Sequence, residues 1–456
     1  MSSADELDEF GGPTDPLEWL FSLQRFGMEP GLARTEALLA AVGAPQSSMR
    51  VVLVGGTNGK GSVTAVLAAC LQAAGRRTGS FFSPHLQRVG ERAKVDGVEA
   101  TRDELRRAVA AVRPHATAFG ATFFEVVTVA ALLRFREAGA RWLVMEVGLG
   151  GRLDATNALE PALSIITPIG LDHTAVLGPD LKSIAGEKAG ILRPGVPTLT
   201  AAKGEALVAI EAVADGLGTP LAVLGREFSV ELLEQGWGGI TVAIEAGRET
   251  ASGRQAGGHG GSWEAPAGLP LRLRSPLLGA HQADNVALAA VAALQLGVEP
   301  GQVRAAVAAT RWPGRLEVIE YERRRFVLDG AHNPQAAKAL AAALERLDAH
   351  VAALVLGVSA DKDLAEVARP MLGLATTVIA TKAALSPRGL EPEELAARLA
   401  SHGQLLVSRT PKEALEQALA ATAAGSTIVV AGSLFLVGEF RTLLSGGRDE
   451  PGQRWQ

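Results

Sequence analysis

The sequence predicts an α/β protein built on parallel sheets covered by helices, and three observations carry that expectation. Short apolar, β-branched runs alternate with helical patterns from end to end, the signature of parallel strands with helices on both faces. One of these runs leads through a glycine-rich turn into Lys-x-Ser and a helix. The chain has 456 residues, more than one hydrophobic core usually holds, so two or three domains are expected.

The first decisive element is the stretch 51–65. Val51 to Val54 are a short apolar run of strand length. Gly55-Gly56-Thr57-Asn58-Gly59 is a turn of residues that tolerate unusual backbone angles. Lys60, Gly61 and Ser62 then open a helix expected over 62–74. Strand, glycine turn and helix N-terminus form a phosphate cradle, in which backbone N–H groups face an anion and a lysine neutralises it. The spacing departs from the common P-loop, which places four residues between its first glycine and Gly-Lys. Gly55 leaves three and Gly56 leaves two, and Gly61 separates the lysine from Ser62. A flexible strand-to-helix turn is the plain alternative.

Further strands are expected at 79–82, 142–147, 163–167, 197–200, 240–244 and 269–273. Beyond a break at Thr310-Arg311-Trp312-Pro313-Gly314-Arg315 come five more: 326–328, 352–356, 377–380, 405–407 and 427–430. Helices are expected at 103–112, 123–137, 280–295 and 334–347, with a helical turn over 183–191. The polar, glycine-rich segment 245–268 has no apolar period and reads as a loop between two strands, with His259 simply solvated. The tail after Gly446 is expected to fray.

Chemistry-bearing residues gather at the strand ends, where open parallel sheets place ligands. Glu146 closes the strand 142–147 and is followed by Val147-Gly148-Leu149-Gly150-Gly151-Arg152-Leu153-Asp154. A carboxylate there suits Mg²⁺ beside a triphosphate; a structural pair with Arg152 is the alternative. Ser83-Pro84-His85-Leu86 and Leu171-Asp172-His173 close two other strands. Lys188, within Gly186-Glu187-Lys188-Ala189-Gly190, reads on composition alone as a surface charge. In the second half, Asp329-Gly330-Ala331-His332-Asn333-Pro334 ends a strand and starts a helix, so Asp329 and His332 sit on a strand-end loop suited to ligand contact; a helix cap by Asp329 or Asn333 is the alternative. Ser433 stands at a similar junction, to bind an anion or only cap.

Composition narrows the function classes. Hydrophobic residues make up 47% and the net charge is −5, which fits a globular protein without the basic surface of a nucleic-acid binder. No apolar run reaches membrane-spanning length and residues 1–10 are acidic, so no membrane association and a cytoplasmic setting are expected. The single cysteine, Cys70, reads as a small core residue.

These motifs, in this order, resemble the Mur ligase superfamily, and within it the bacterial dihydrofolate synthases/folylpolyglutamate synthases. The resemblance runs from about residue 15 to 445 and excludes the 245–268 insertion. It implies a Mur-ligase-like ATP-binding P-loop domain over 1–311 and a smaller Rossmann-like, C-terminal glutamate-ligase α/β domain over 312–456. It implies ATP held by Asn58, Gly59, Lys60 and Gly61, with Asn285, Arg315 and Asp329 closing the pocket. Ser83, Glu146 and His173 would ligate Mg²⁺, helped by Lys188 as a carbamate. Thr122, Phe123, Phe124 and Glu125, with Leu153, Asp154 and Ala155, would receive the pterin, and His332 and Ser433 the glutamate. Lys60, Lys188 and His332 would be catalytic. The implied partners are dihydropteroate, tetrahydrofolate-type folates and L-glutamate, joined by a monomer through an acyl phosphate. A single-activity folylpolyglutamate synthase, another Mur-type amino-acid ligase, a kinase and a nucleotide switch are the rivals.

Overall fold

The computed structural model describes residues 13–23, 31–247, 263–360, 362–384, 386, 388–399 and 404–446. The expectations for the acidic start, for His259 and most of the glycine-rich insertion, and for the tail beyond Gly446 fall outside these residues.

The first half contains strands β1 (Arg50–Gly55), β2 (Thr78–Phe81), β3 (Ala93–Val95), β4 (Val98–Glu99), β5 (Trp142–Glu146), β6 (Pro161–Ile166), β7 (Thr198–Thr200) and β8 (Leu221–Val223). They form one sheet in the order β4-β3-β2-β5-β1-β6-β7-β8. Its centre is parallel, with Val54 opposite Glu146 on one side and Ile165 on the other. Successive side chains of a strand point to opposite faces, and both faces here are filled. Val52 and Val54 pack with Val63, Val66 and Leu67 of helix α1 (Lys60–Ala73). Val51 and Leu53 pack with Val126, Val129 and Ala130 of helix α2 (Phe123–Glu137). Cys70 is buried in the α1 layer, and burial pushes its thiol up to about 12.

Helix α3 (Leu181–Ala189) follows β6. Strands β9 (Phe228–Gly236), β10 (Gly239–Ala246) and β11 (Leu271–Ser275) form a small antiparallel sheet. Helix α4 (His281–Gln295), buried on nearly all sides, packs against α1 and against β7, β9 and β10.

The second half holds β12 (Glu317–Tyr321), β13 (Arg324–Leu328), β14 (Val351–Leu356), β15 (Ala375–Ala380), β16 (Gln404–Val407) and β17 (Thr427–Ala431). Their order is β12-β13-β17-β14-β15-β16. Helix α5 (Pro334–Arg346) covers one face through Ala337, Leu340 and Leu344. Helix α6 (Leu434–Ser445) covers the other through Leu436, Val437 and Phe440.

Two sequence expectations need correction here. Among the described residues six strands, not five, build the second sheet. The missed one, β12, is an edge strand antiparallel to β13, and its two glutamates and partly exposed apolar residues hid it from a search for continuous apolar runs. The helix expected over 103–112 runs from Arg102 to Phe119, through Pro114, and stops at Gly120 with φ 64°. No helix among the described residues is long and apolar enough to cross a membrane.

Candidate active site

The cradle at the end of β1 is shaped by contacts only glycine allows. Gly56 has φ 129°, and a Cβ there would lie 1.9 Å from Thr167 Oγ1; Gly59 has φ 93°, and a Cβ would lie 2.2 Å from Asn285 Oδ1. Side chains at either site would meet both steric and backbone strain. Asn285, on α4, is therefore placed against the loop, its amide donating to Gln282 Oε1 at 2.9 Å. Gly61 meets the Trp312 ring, whose centroid lies 4.5 Å from that of Phe82 at a tilt of 36°. Lys60 Nζ donates to the Gly56 and Thr57 carbonyls at 3.2 and 3.1 Å, so its charge is held within the loop.

The ends of β2, β5, β1 and β6 are consecutive in the sheet, and they deliver Ser83, Glu146, the cradle and the Asp172–His173 segment to one edge. Glu146 is buried and accepts the Ser83 N–H at 3.2 Å. Burial raises its carboxyl above the usual range, opposed by Lys60, the Ser83 N–H, Arg315 and Arg92. Arg152 pairs with Glu187 at 2.8 Å, so the structural Glu146–Arg152 pair is absent. Lys188 is 5% exposed, which overturns its surface reading. Its ammonium donates to the Gly56 carbonyl at 2.7 Å; burial, then the Lys60 charge, push it down to about 7. His173 stands in the left-handed region with φ 50°. Its side chain is 42% exposed; partial desolvation, with Lys362, His332 and Lys60 nearby, lowers its imidazole against the pull of Asp172.

The second half meets this edge through the β13–α5 loop. Asn333, 1% exposed, caps α5 by accepting the Ala336 N–H at 2.9 Å. Its amide also donates to Asn58 Oδ1 and Asp172 Oδ2, both at 3.0 Å. Gln335 Oε1 accepts from Asn58 at 2.8 Å. Asp329 does not cap; it accepts the Leu316 and Ala331 N–H groups at 2.8 and 2.9 Å. Arg315 lies against Gly330 and is charge-coupled to Glu146. Ser433 makes no capping bond to α6 and lines a crevice with Gly357, Ser359 and Lys382. Sequence reasoning missed Trp312, Gln335 and Lys362, and quoted Asp172 and Asn333 without assigning them a ligand-site role. Their signal is tertiary, apart from the capping pattern of Asn333.

The segments matched to the pterin site are placed on the same side of the sheet as α2. Thr122 and Glu125 form a capping box at the α2 N-terminus, and Glu125 also pairs with Arg34 at 3.2 Å. Phe123 stacks on Phe21 at 6.0 Å, and Phe124 meets Phe81 at 5.9 Å. Asp154 spends its buried carboxylate on the loop, accepting from Thr156 Oγ1 at 2.6 Å and from the Leu149 N–H at 2.9 Å. Leu153 is half-buried and Ala155 buried beside it.

Residues 314–434 match the model of the Mur ligase, glutamate ligase domain. A Haloferax volcanii protein named probable bifunctional folylpolyglutamate synthase/dihydropteroate synthase is 34% identical over 444 residues. The match covers 94% of this chain, and the chain spans about half, 50%, of that relative. The dihydrofolate synthase/folylpolyglutamate synthase of Escherichia coli is 32% identical over 433 residues, with 95% of each chain covered. The structure of E. coli FolC in complex with DHPP and ADP matches with TM-score 0.82 and 30% identity, over 95% of this chain and 98% of that one. A bifunctional folylpolyglutamate synthase/dihydrofolate synthase with Mn, AMPPNP and L-glutamate bound matches with TM-score 0.79 and 29% identity, over 95% and 98%. By identity and coverage, the chain belongs to the dihydrofolate synthase/folylpolyglutamate synthase family of Mur-type ligases.

Proposed function

We propose that this protein is an ATP-dependent ligase that joins L-glutamate to dihydropteroate and to reduced folates, acting as a cytoplasmic monomer. The observation that carries the proposal is the meeting of two half-sites. The phosphate cradle of the first half is hydrogen-bonded, through Asn58, to the Asn333–Gln335 loop of the second. The division falls at 1–311 and 312–456. The first part binds ATP and the pterin, and the second carries the glutamate-ligase domain.

In this scheme Asn58, Gly59, Lys60 and Gly61 hold the phosphates, with Asn285, Arg315 and Asp329 closing the nucleotide site. Hydroxyl and carboxylate oxygens suit Mg²⁺, with the imidazole a softer third donor, and the raised carboxyl of buried Glu146 is the response of a group that gains from a cation. Ser83, Glu146 and His173 would hold the ion, which when bound neutralises triphosphate charge. Lys188, lowered to about 7, is nucleophilic toward carbon dioxide: the N–C bond forms and a proton leaves, and the carbamate oxygens would then be available to help hold the ion.

The chemistry needs activation because a carboxylate is a poor electrophile. Its oxygen attacks the γ-phosphorus, ADP departs, and an acyl phosphate results. Lys60 stabilises the charge spread over the phosphoryl oxygens. The glutamate amine, held by His332 and Ser433, attacks the acyl carbon; phosphate leaves and the amine loses a proton. Thr122, Phe123, Phe124 and Glu125, with Leu153, Asp154 and Ala155, frame the pterin. Closure between the halves excludes the water that would hydrolyse the intermediate.

The test is purified protein with ATP, Mg²⁺, L-glutamate and either dihydropteroate or tetrahydrofolate, with products identified by mass. Both acceptors should gain a glutamyl residue, and ADP release should require glutamate. Phosphorylated acceptor with no glutamyl product would make the protein a kinase and overturn the proposal.

A further inference from the structure

Asp172 is a buried carboxylate at the junction of the two halves, and the reaction above gives it no task. Its side chain is 8% exposed. Oδ1 accepts from Lys362 Nζ at 2.6 Å and from the His173 N–H at 2.9 Å. Oδ2 accepts from Asn333 at 3.0 Å and lies 3.7 Å from His332 Nε2. Three of these four partners come from the second half, from the two loops that follow β13 and β14.

The geometry at His332 is directional. Its Nδ1 lies 2.7 Å from the Gly330 carbonyl oxygen. A carbonyl only accepts, so Nδ1 carries the hydrogen and Nε2 is the nitrogen turned to Asp172. The ring is thus fixed by its own strand end at one edge and by the opposite half at the other. Lys362 is held in the same way, its stem largely buried and its ammonium on Oδ1. On the nucleotide side Asp172 touches only His173, through its N–H and with Nε2 at 3.9 Å, and the phosphate cradle has supports of its own. Asn333 keeps its bonds to Asn58 and to the Ala336 N–H without Asp172, and Lys60 bonds only to the cradle.

We propose that Asp172 is a positioning residue for the amino-acid substrate: supplied by the first half, it aligns His332 and Lys362 of the second, so that the glutamate subsite is complete only when the halves are docked. The inference rests on the assignment of His332 to glutamate. A plain interfacial ion pair would instead support every substrate equally. The two cases separate kinetically, because a group that organises one subsite changes the KM of that substrate and leaves the other intact.

The experiment is steady-state kinetics of Asp172→Asn, which keeps the shape and removes the charge, with L-glutamate and ATP varied in turn. The KM for glutamate should rise by about ten-fold or more, while that for ATP stays within about two-fold. An unchanged KM for glutamate, or an equal rise for both substrates, would overturn the proposal. If Asp172→Asn melts below the assay temperature, Asp172→Glu replaces it, since the longer side chain displaces the carboxylate; the same outcomes apply. Absence of glutamate-dependent ADP release by the wild type would defeat the ligase assignment instead. Wild-type turnover with no KM split in the variant defeats the positioning role alone.

Discussion

Lys188 shows how a single residue changes meaning once its neighbours are known. Composition marks it as a surface lysine, yet α3 packs it under the Gly56 carbonyl, because Gly151 has no Cβ to fill the space beside its backbone. Its lowered value of about 7, against the ordinary 10.5, sets a pH dependence. Between these values the unfolded chain holds the proton more tightly, so stability contributed by this group rises with pH across that window and its cost is full below it. In carbon-dioxide-free buffer, the stability of wild type relative to Lys188→Met should increase from pH 7 to pH 10; a difference flat in pH would contradict the burial. Activity lost in that buffer should return with bicarbonate, and Lys188→Met should show no such recovery. Lys60 makes the companion case. Lys60→Ala should cost roughly 10²–10³ in turnover with the fold retained, since its ammonium contacts only the loop. Near-wild-type turnover would remove the cradle from the chemistry.

At the scale of elements, what was legible was what is contiguous. The strand–turn–helix at 50–73 announces itself because its glycines, its lysine and its apolar run are neighbours in sequence. So do the strand-end motifs around Glu146, His173 and Asp329. What stayed hidden is made by packing. Asp172 meets Lys362 across 190 residues, and Trp312 reaches Gly61 from the far side of α4. No local pattern encodes either contact. The cradle's stiffness is itself testable. Gly59→Ala forces a Cβ to 2.2 Å from Asn285 Oδ1 at φ 93°, a strain of order 1–3 kcal/mol, so nucleotide affinity should fall together with thermal stability. A variant with wild-type nucleotide affinity would show that the loop yields. Thr122 is a simpler element: its hydroxyl caps α2, and Thr122→Ala should cost about 1 kcal/mol, seen as a lower melting temperature.

At the scale of the whole molecule, the proposed activity raises the question of how one ATP site would serve two acceptors. The bond formed is the same, but the reacting carboxylate sits on the benzoyl ring of dihydropteroate and one glutamate further out in a folate. With the cradle fixed on β1, the pterin must take two positions or the tail must bend. The α2 N-terminus is the proposed position for the ring. Phe123 stacks on Phe21, and the Arg92 guanidinium lies 5.3 Å over its ring, so its replacement would disturb the aromatic packing at that end of α2. Asp154 shapes the neighbouring loop through its own hydrogen bonds, which makes its replacement a test of loop shape rather than of direct contact. Phe123 is therefore the sharper probe. Phe123→Ala empties a nearly buried site and costs about 3–5 kcal/mol at worst, so Phe123→Leu, which keeps most of the volume, should accompany it. With both variants assayed on both acceptors, kcat/KM for dihydropteroate should fall several-fold further than for tetrahydrofolate. Equal losses would mean that both acceptors place the pterin at one position and that the tail, not the ring, takes up the extra length.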